Sequence, residues 1–210
     1  MGTAAQDIQG WLDALRSDAP TPGGGAAAGL AAAAGAALVA MVGHLTIGKD
    51  GFDDVEARMR DLTHRAEDDL ALFVELADRD TRAFQALMAA FRLPKETDEE
   101  RQARTLRIQE AYEGAAEVPL ELARRAVELM AVSEDATAMG NPNAASDGYS
   151  AGSLLYAAVL AAIANVRINA AGLKDGSRGQ ALVAECETLR ERADGLLAQV
   201  EEAFLLRLAT

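Results

Sequence analysis

PTPGGGAAAGLAAAAGAALVAMVGHLTIG, residues 20–48, has no Asp, Glu, Lys or Arg and joins a proline-bracketed triple glycine to an alanine-rich run. Alanine is the strongest helix former, and the run lacks the alternation of a half-buried strand, so a helix is predicted over 26–47. Glycine has no Cβ and tolerates positive φ, which lets the backbone of Gly23, Gly24 and Gly25 approach a ligand closely. The helix that follows aims its free N–H groups and positive dipole end back at that loop. Small residues at Gly25, Gly29, Ala33, Gly35 and Val39 permit close helix approach, within the subunit or across a dimer axis. The expectation is a ligand-binding corner on a tightly packed helical bundle.

Periodicity and breakers predict five further helices. The first covers 4–16, with Ile8, Trp11, Leu12 and Leu15 on one face. A long one covers 52–91 and stops before Leu93-Pro94. Thr97 then caps a helix running to 132, with Glu100 completing a capping box and Pro119 expected to kink the rod. The loop GNPNAASDG, 140–148, precedes a helix over 149–171, and the last helix covers 178–208. In that loop Ser146 or Asp147 reads as a helix cap, and Asn141 and Asn143 as turn residues. No segment alternates like a strand, and neither a repeat nor a linker interrupts the chain. The fold class is all-α: one domain over 1–210, a bundle of about six helices, several long and antiparallel.

Composition narrows the function. The chain of 210 residues is 50% hydrophobic but only 4% aromatic, so its core is built from Ala, Leu and Val. Cys186 is the single cysteine, which excludes a disulfide framework or a Cys-rich metal site and makes a reducing cytoplasm the expected location. The net charge of −13 disfavours nucleic acid and anionic membranes, while leaving room for a small anion held by local donors. No signal-peptide pattern opens the chain. Residues 23–43 are long enough to span a bilayer, but their Ala and Gly content and Gly-rich start favour a buried bundle helix.

Stepping along the third helix, Phe73, Ala77, Asp80, Phe84, Leu87 and Phe91 share one stripe, with Asp80 the only charge in it. Two readings are open: a desolvated proton carrier, or an Asp paired to an arginine of a neighbouring helix. Asp78 falls roughly opposite and is expected in solvent, so the two are not paired acids. In the fifth helix Asn165 and Asn169 share a face in line with Ala158 and Ala162. Buried amides need partners, and these could grip a heterocycle or bond to a neighbouring helix. Gly23, Gly25 and Ala28 match GxGxxA, but no strand precedes them, so a dinucleotide fingerprint is rejected. His44 and His64 gather no ligand cluster, and no metal site is expected.

In their joint order, these residues resemble the cyclodeaminase/cyclohydrolase family of folate enzymes. The resemblance rests on PTPGGG at 20–25, GAALVAMV at 35–42, LTIGK at 45–49, DTRAF at 80–84, LPKETDEE at 93–100, VPL at 118–120 and GNPNAASD at 140–147. It spans nearly the whole chain and implies an all-helical homodimer. It further implies that Asp80 is the catalytic proton donor. Pro22, Gly23, Gly24, Gly25, Lys49, Asn141, Asn143, Asp147, Asn165 and Asn169 would then bind substrate. The substrate is a tetrahydrofolate derivative and no prosthetic group is required. Ala26, His44, Asp50 and Gly51 depart from the usual family residues.

The expected activity is methenyltetrahydrofolate cyclohydrolase, opening 5,10-methenyltetrahydrofolate to 10-formyltetrahydrofolate. The alternatives are a formiminotetrahydrofolate cyclodeaminase and a non-catalytic folate-binding module. The cyclohydrolase is preferred because no formiminotransferase segment accompanies the helical one.

Overall fold

A computed structural model describes residues 8–209, and every regular element among them is helical. The helices are α1 (Ile8–Leu15), α2 (Gly24–Thr46), α3 (Glu56–Phe91), α4 (Asp98–Met139), α5 (Ala145–Ala170) and α6 (Gly176–Leu208), with a 3-10 turn at Pro142–Ala144 before α5. Helix α2 packs between α3 and α5, while α4 packs on α3, α5 and α6. One continuous core links α2 to α6, with Phe73, Met59, Leu120, Leu129, Met130 and Leu155 among its largest fully buried side chains.

Alanine makes this core by closeness and not by bulk. A buried methyl-sized group contributes only about 0.8 kcal/mol, so α2 depends on short interhelical distances. A Cβ on Gly29 would sit 2.8 Å from Ala77 Cβ of α3, and one on Gly35 would sit 2.8 Å from Leu155 Cγ of α5. The small-residue positions Gly29 and Gly35 are therefore spent on contacts within the subunit.

Element ends follow local chemistry. The Thr97 hydroxyl accepts from the Glu100 N–H at 3.2 Å, and Glu100 Oε2 accepts from the Thr97 N–H at 3.0 Å, completing the expected capping box. Helix α4 continues through Pro119 and past 132 to Met139. Its last turns are held because Ser133, Ala136 and Thr137 are buried, and because Arg207 donates to the carbonyls of Thr137 and Gly140. Helix α5 starts at Ala145, earlier than predicted, since the Pro142–Ala144 turn already winds the chain helically. Ser146 and Asp147 thus lie in its first turn, and neither is the cap. Asp175 caps α6 by accepting from the N–H groups of Ser177 and Arg178.

Trp11 of α1 is buried against Ala26 and Ala77, but Ile8 and Leu12 face outward, so only part of the predicted α1 face is used. The predicted start of that helix, before residue 8, lies outside the described residues. Asp69 is 2% exposed and paired with Arg125, an ion pair that helical spacing did not reveal. By length and composition α2 and Pro142–Ala170 could each cross a membrane, but 61% of the apolar window of α2 is buried inside the bundle.

Candidate active site

The last turns of α3 and the first turn of α2 meet at Asp80 and Gly25. A Cβ on Gly25 would lie 2.2 Å from Asp80 Oδ1 and 2.4 Å from Cγ, so the carboxyl occupies the space that only glycine leaves. Burial pushes the Asp80 carboxyl above the ordinary carboxylate range, and the Ala26 backbone N–H partly offsets this. No lysine, arginine or histidine among the described residues pairs with Asp80. Of the two readings of the stripe, the pairing with a neighbouring arginine is not found among the described residues. Asp78, expected in solvent, is half-buried and engaged elsewhere.

Asp80 and Gly23, Gly24 and Gly25 line a cavity of about 400 Å³. Its size suits a small organic ligand. Phe84, Leu87, Met88 and Phe91 of α3 continue the apolar stripe along one wall. Tyr112 and Ala115 of α4, and Asn165, Ile168 and Asn169 of α5, complete it. Pro20 and Thr21 close one edge, while Pro22 is buried behind the loop, where the Thr21–Pro22 peptide is cis.

The two amides are oriented by what they donate to. Asn165 Nδ2 donates to the Ala161 carbonyl at 2.8 Å; Asn169 Nδ2 donates to the carbonyls of Ala115 at 2.8 Å and Asn165 at 3.0 Å. Backbone carbonyls only accept, so the nitrogens are assigned and the amide oxygens remain as acceptors. The NH₂ groups bond to helix backbone, that of Asn169 reaching the neighbouring α4, and both residues line the cavity. Its side chains thus offer a carboxyl and two amide oxygens against the N–H donors of the α2 N-terminus.

The remaining predicted site residues lie elsewhere. Lys49 follows the C-terminal end of α2, whose 23 residues separate it from the triple glycine by about 34 Å. Asn141 staples that end to the α4–α5 corner. Its N–H donates to Thr46 Oγ1 at 2.9 Å, its Nδ2 to the Leu45 carbonyl at 3.1 Å, and its Oδ1 accepts from the Asn143 N–H at 3.0 Å. Asp147 and Asn143 belong to the same corner, outside the cavity. Every polar group of Asn141 named here is committed to backbone or to Thr46. Sequence reading missed Tyr112, Met88 and Ile168. Tyr112 sits in the polar run RIQEAYEG, which shows no apolar stripe to single it out.

Over residues 7–188 the chain matches the family model described as formiminotransferase-cyclodeaminase. It is 40% identical to the methenyltetrahydrofolate cyclohydrolase of Methylorubrum extorquens, over 94% of this chain and 95% of that one. It is also 40% identical to rat formimidoyltransferase-cyclodeaminase, over 73% of this chain but 28% of that longer protein. Its fold matches the crystal structure of formiminotetrahydrofolate cyclodeaminase from Thermotoga maritima with a TM-score of 0.85 and 28% identity, covering 95% of this chain and 96% of that one. A helical bundle with an acid poised over a glycine turn, matched along almost its whole length, is that of a folate-type cyclodeaminase or cyclohydrolase domain. The chain belongs to the formiminotransferase-cyclodeaminase family.

Proposed function

We propose that the protein is a methenyltetrahydrofolate cyclohydrolase with Asp80 as its acid–base group. The observation that carries this is the Asp80 carboxyl itself, desolvated, without a cationic partner among the described residues and seated over bare Gly25 in the cavity. The similarity to the Methylorubrum enzyme supports the choice of substrate.

The substrate carries a positive amidinium bridge between its nitrogens 5 and 10. A carboxylate and two amide oxygens suit that cation. Water adds to the bridging carbon while Asp80 takes one of its protons. The resulting adduct collapses as the bond from carbon to nitrogen 5 breaks, and Asp80 returns its proton to that nitrogen. The hydroxyl proton on the carbon leaves to solvent as the formyl C=O forms on nitrogen 10. A single carboxyl with a raised pKa serves both transfers, and such catalysis typically contributes about 10²–10⁴-fold. Gly23, Gly24 and Gly25 give the ligand room, and Asn165 and Asn169 orient its donor-bearing ring.

The cyclodeaminase reaction is the second reading, supported by the fold shared with the Thermotoga protein. It uses the same carbon: nitrogen 10 attacks the formimino carbon and Asp80 protonates the departing ammonia. Near-ultraviolet absorbance separates the readings, because the methenyl bridge absorbs and its hydrolysis product does not. Loss of the band on adding enzyme to methenyltetrahydrofolate identifies the cyclohydrolase. Gain of the band from formiminotetrahydrofolate identifies the deaminase, and a bound folate with neither change leaves a binding module.

The active unit in this reading is a cytoplasmic homodimer formed across the outward face of α2. Ala34, Ala37, Met41 and Leu45 are exposed there, and Ala27, Ala31 and Leu38 are part-exposed beside them. This stripe has a three–four spacing that suits a second helix. If the copies run antiparallel, the partner's Lys49 end approaches the Asp80 end of its mate, where it can meet the folate's carboxylate tail. Ala34→Arg tests this by light scattering: monomers are expected, and an unchanged dimer rejects the face.

A further inference from the structure

We infer that Tyr112 is a positioning residue for the substrate: its ring, seated on the bare Cα of Gly172, forms a fixed flat wall of the Asp80 cavity against which an aromatic ring of the folate packs. This rests on the folate reading above.

Three residues of α4, spaced one turn apart, each engage the end of α5. Gln109 donates through Nε2 to the Gly172 carbonyl at 3.1 Å and accepts through Oε1 from the Lys174 N–H at 2.5 Å. Tyr112 lies directly on Gly172. A Cβ at that glycine would fall 2.3 Å from Cε1 and Cζ of the ring and 2.6 Å from Cε2. Ala115 accepts from Asn169 Nδ2, and the Gly172 N–H donates back to the Asn169 carbonyl at 3.0 Å. The corner that Tyr112 rests on is thus pinned on both sides, and one of the pins is itself a cavity residue.

A second aromatic contact holds the ring. Phe91 and Tyr112 form a T-shaped pair, with centroids 6.0 Å apart and planes at 83°. Arg104 lies 5.9 Å above the Phe91 ring and donates through Nε and Nη2 to the Phe91 carbonyl. Tyr112 is half-buried and lines the cavity. Its hydroxyl makes no hydrogen bond to a described residue, and its ring adds a flat apolar surface to the lining. A ring whose position is set in advance holds a planar ligand without a further ordering cost. The pterin and the aminobenzoyl group of a folate are both planar, and either suits this wall.

The test compares steady-state kinetics of wild type, Tyr112→Phe, Tyr112→Ala, Gly172→Ala and the Gly172→Ala/Tyr112→Ala double variant. Tyr112→Ala should raise KM about tenfold or more, the scale of ring stacking, with kcat within about threefold. Tyr112→Phe should restore KM. Gly172→Ala alone should raise KM by displacing the ring. In the Tyr112→Ala background it should add nothing, because the methyl then meets no ring. Competition by a pterin and by aminobenzoylglutamate, used as separate fragments, identifies which ring stacks: the one that weakens in Tyr112→Ala. An unmoved KM in Tyr112→Ala, additive effects in the double variant, or two unweakened fragments would overturn the inference. A wild type inactive on both folates would instead take down the functional reading.

Discussion

Asp80 and Gly25 share one space: the carboxyl of the first fills the volume where a side chain on the second would begin. Near a helix start, replacing glycine by alanine ordinarily gains about 0.5–1 kcal/mol from reduced backbone freedom. At Gly25 the overlap decides otherwise, because a methyl 2.2 Å from Oδ1 must displace the acid or the helix. Overpacking of this kind costs about 1–3 kcal/mol. Gly25→Ala should therefore lower Tm and reduce turnover at least as far as loss of Asp80 does. Thermal melts and initial rates on one preparation check both. A more stable and fully active Gly25→Ala would contradict the contact.

The raised pKa of Asp80 makes a stability prediction with a definite sign. The folded chain holds this proton to a higher pH than the unfolded chain does. The stabilisation linked to that proton is complete below the unfolded carboxylate range and is lost as pH rises through the folded value. Asp80→Asn is neutral throughout, so it should melt higher than wild type near pH 8, with the gap closing toward about pH 4. Melting curves across that range provide the measurement. A variant less stable than wild type at neutral pH would show that the charged carboxylate is welcome in the fold.

Asp69 tests the opposite case, an acid whose role is structural. It is 2% exposed, paired with Arg125, and outside the cavity. Removing the guanidinium leaves a buried carboxylate alone, which costs several kcal/mol in fully buried pairs. Since Arg125 is itself part-exposed, the expected loss for Arg125→Met is nearer about 3 kcal/mol. Asp69→Asn added to it should recover part of that loss. Denaturant titration measures the stabilities, and the activity of the folded fraction should be unchanged.

These two acids also show what the sequence could and could not reveal. The Asp80 stripe was legible because Phe73, Ala77, Phe84 and Leu87 repeat at helical spacing, and the buried face of α3 follows that spacing. Asp69 also falls on the apolar spacing of α3, between Ala66 and Phe73, but its flanking acids Glu67 and Asp68 masked it, and its partner Arg125 lies on α4, which spacing along one helix does not reveal. The triple glycine, Asn165 and Asn169 were legible as a site because small or amide residues in apolar helices need a reason. Lys49 and Asn141 were not separable from that site by motif alone. Motif order does not say which end of α2 a residue occupies, and the Asn141 staple to Leu45 and Thr46 exists only in three dimensions. Pro119 drew the expectation of a kink, and α4 continues as one helical segment through it, with burial on both sides. Tyr112 was hidden because its importance comes from Gly172, in a different helix end.

The most direct test of the account is the rate at which Asp80→Asn removes the methenyl absorbance, measured beside wild type at equal folded concentration. Asparagine keeps the shape and cannot cycle a proton, so hydrolysis should fall by about a hundredfold or more while the far-ultraviolet helix signal stays the same. A variant that hydrolyses methenyltetrahydrofolate at the wild-type rate would contradict the assignment of Asp80 as the group that moves the proton.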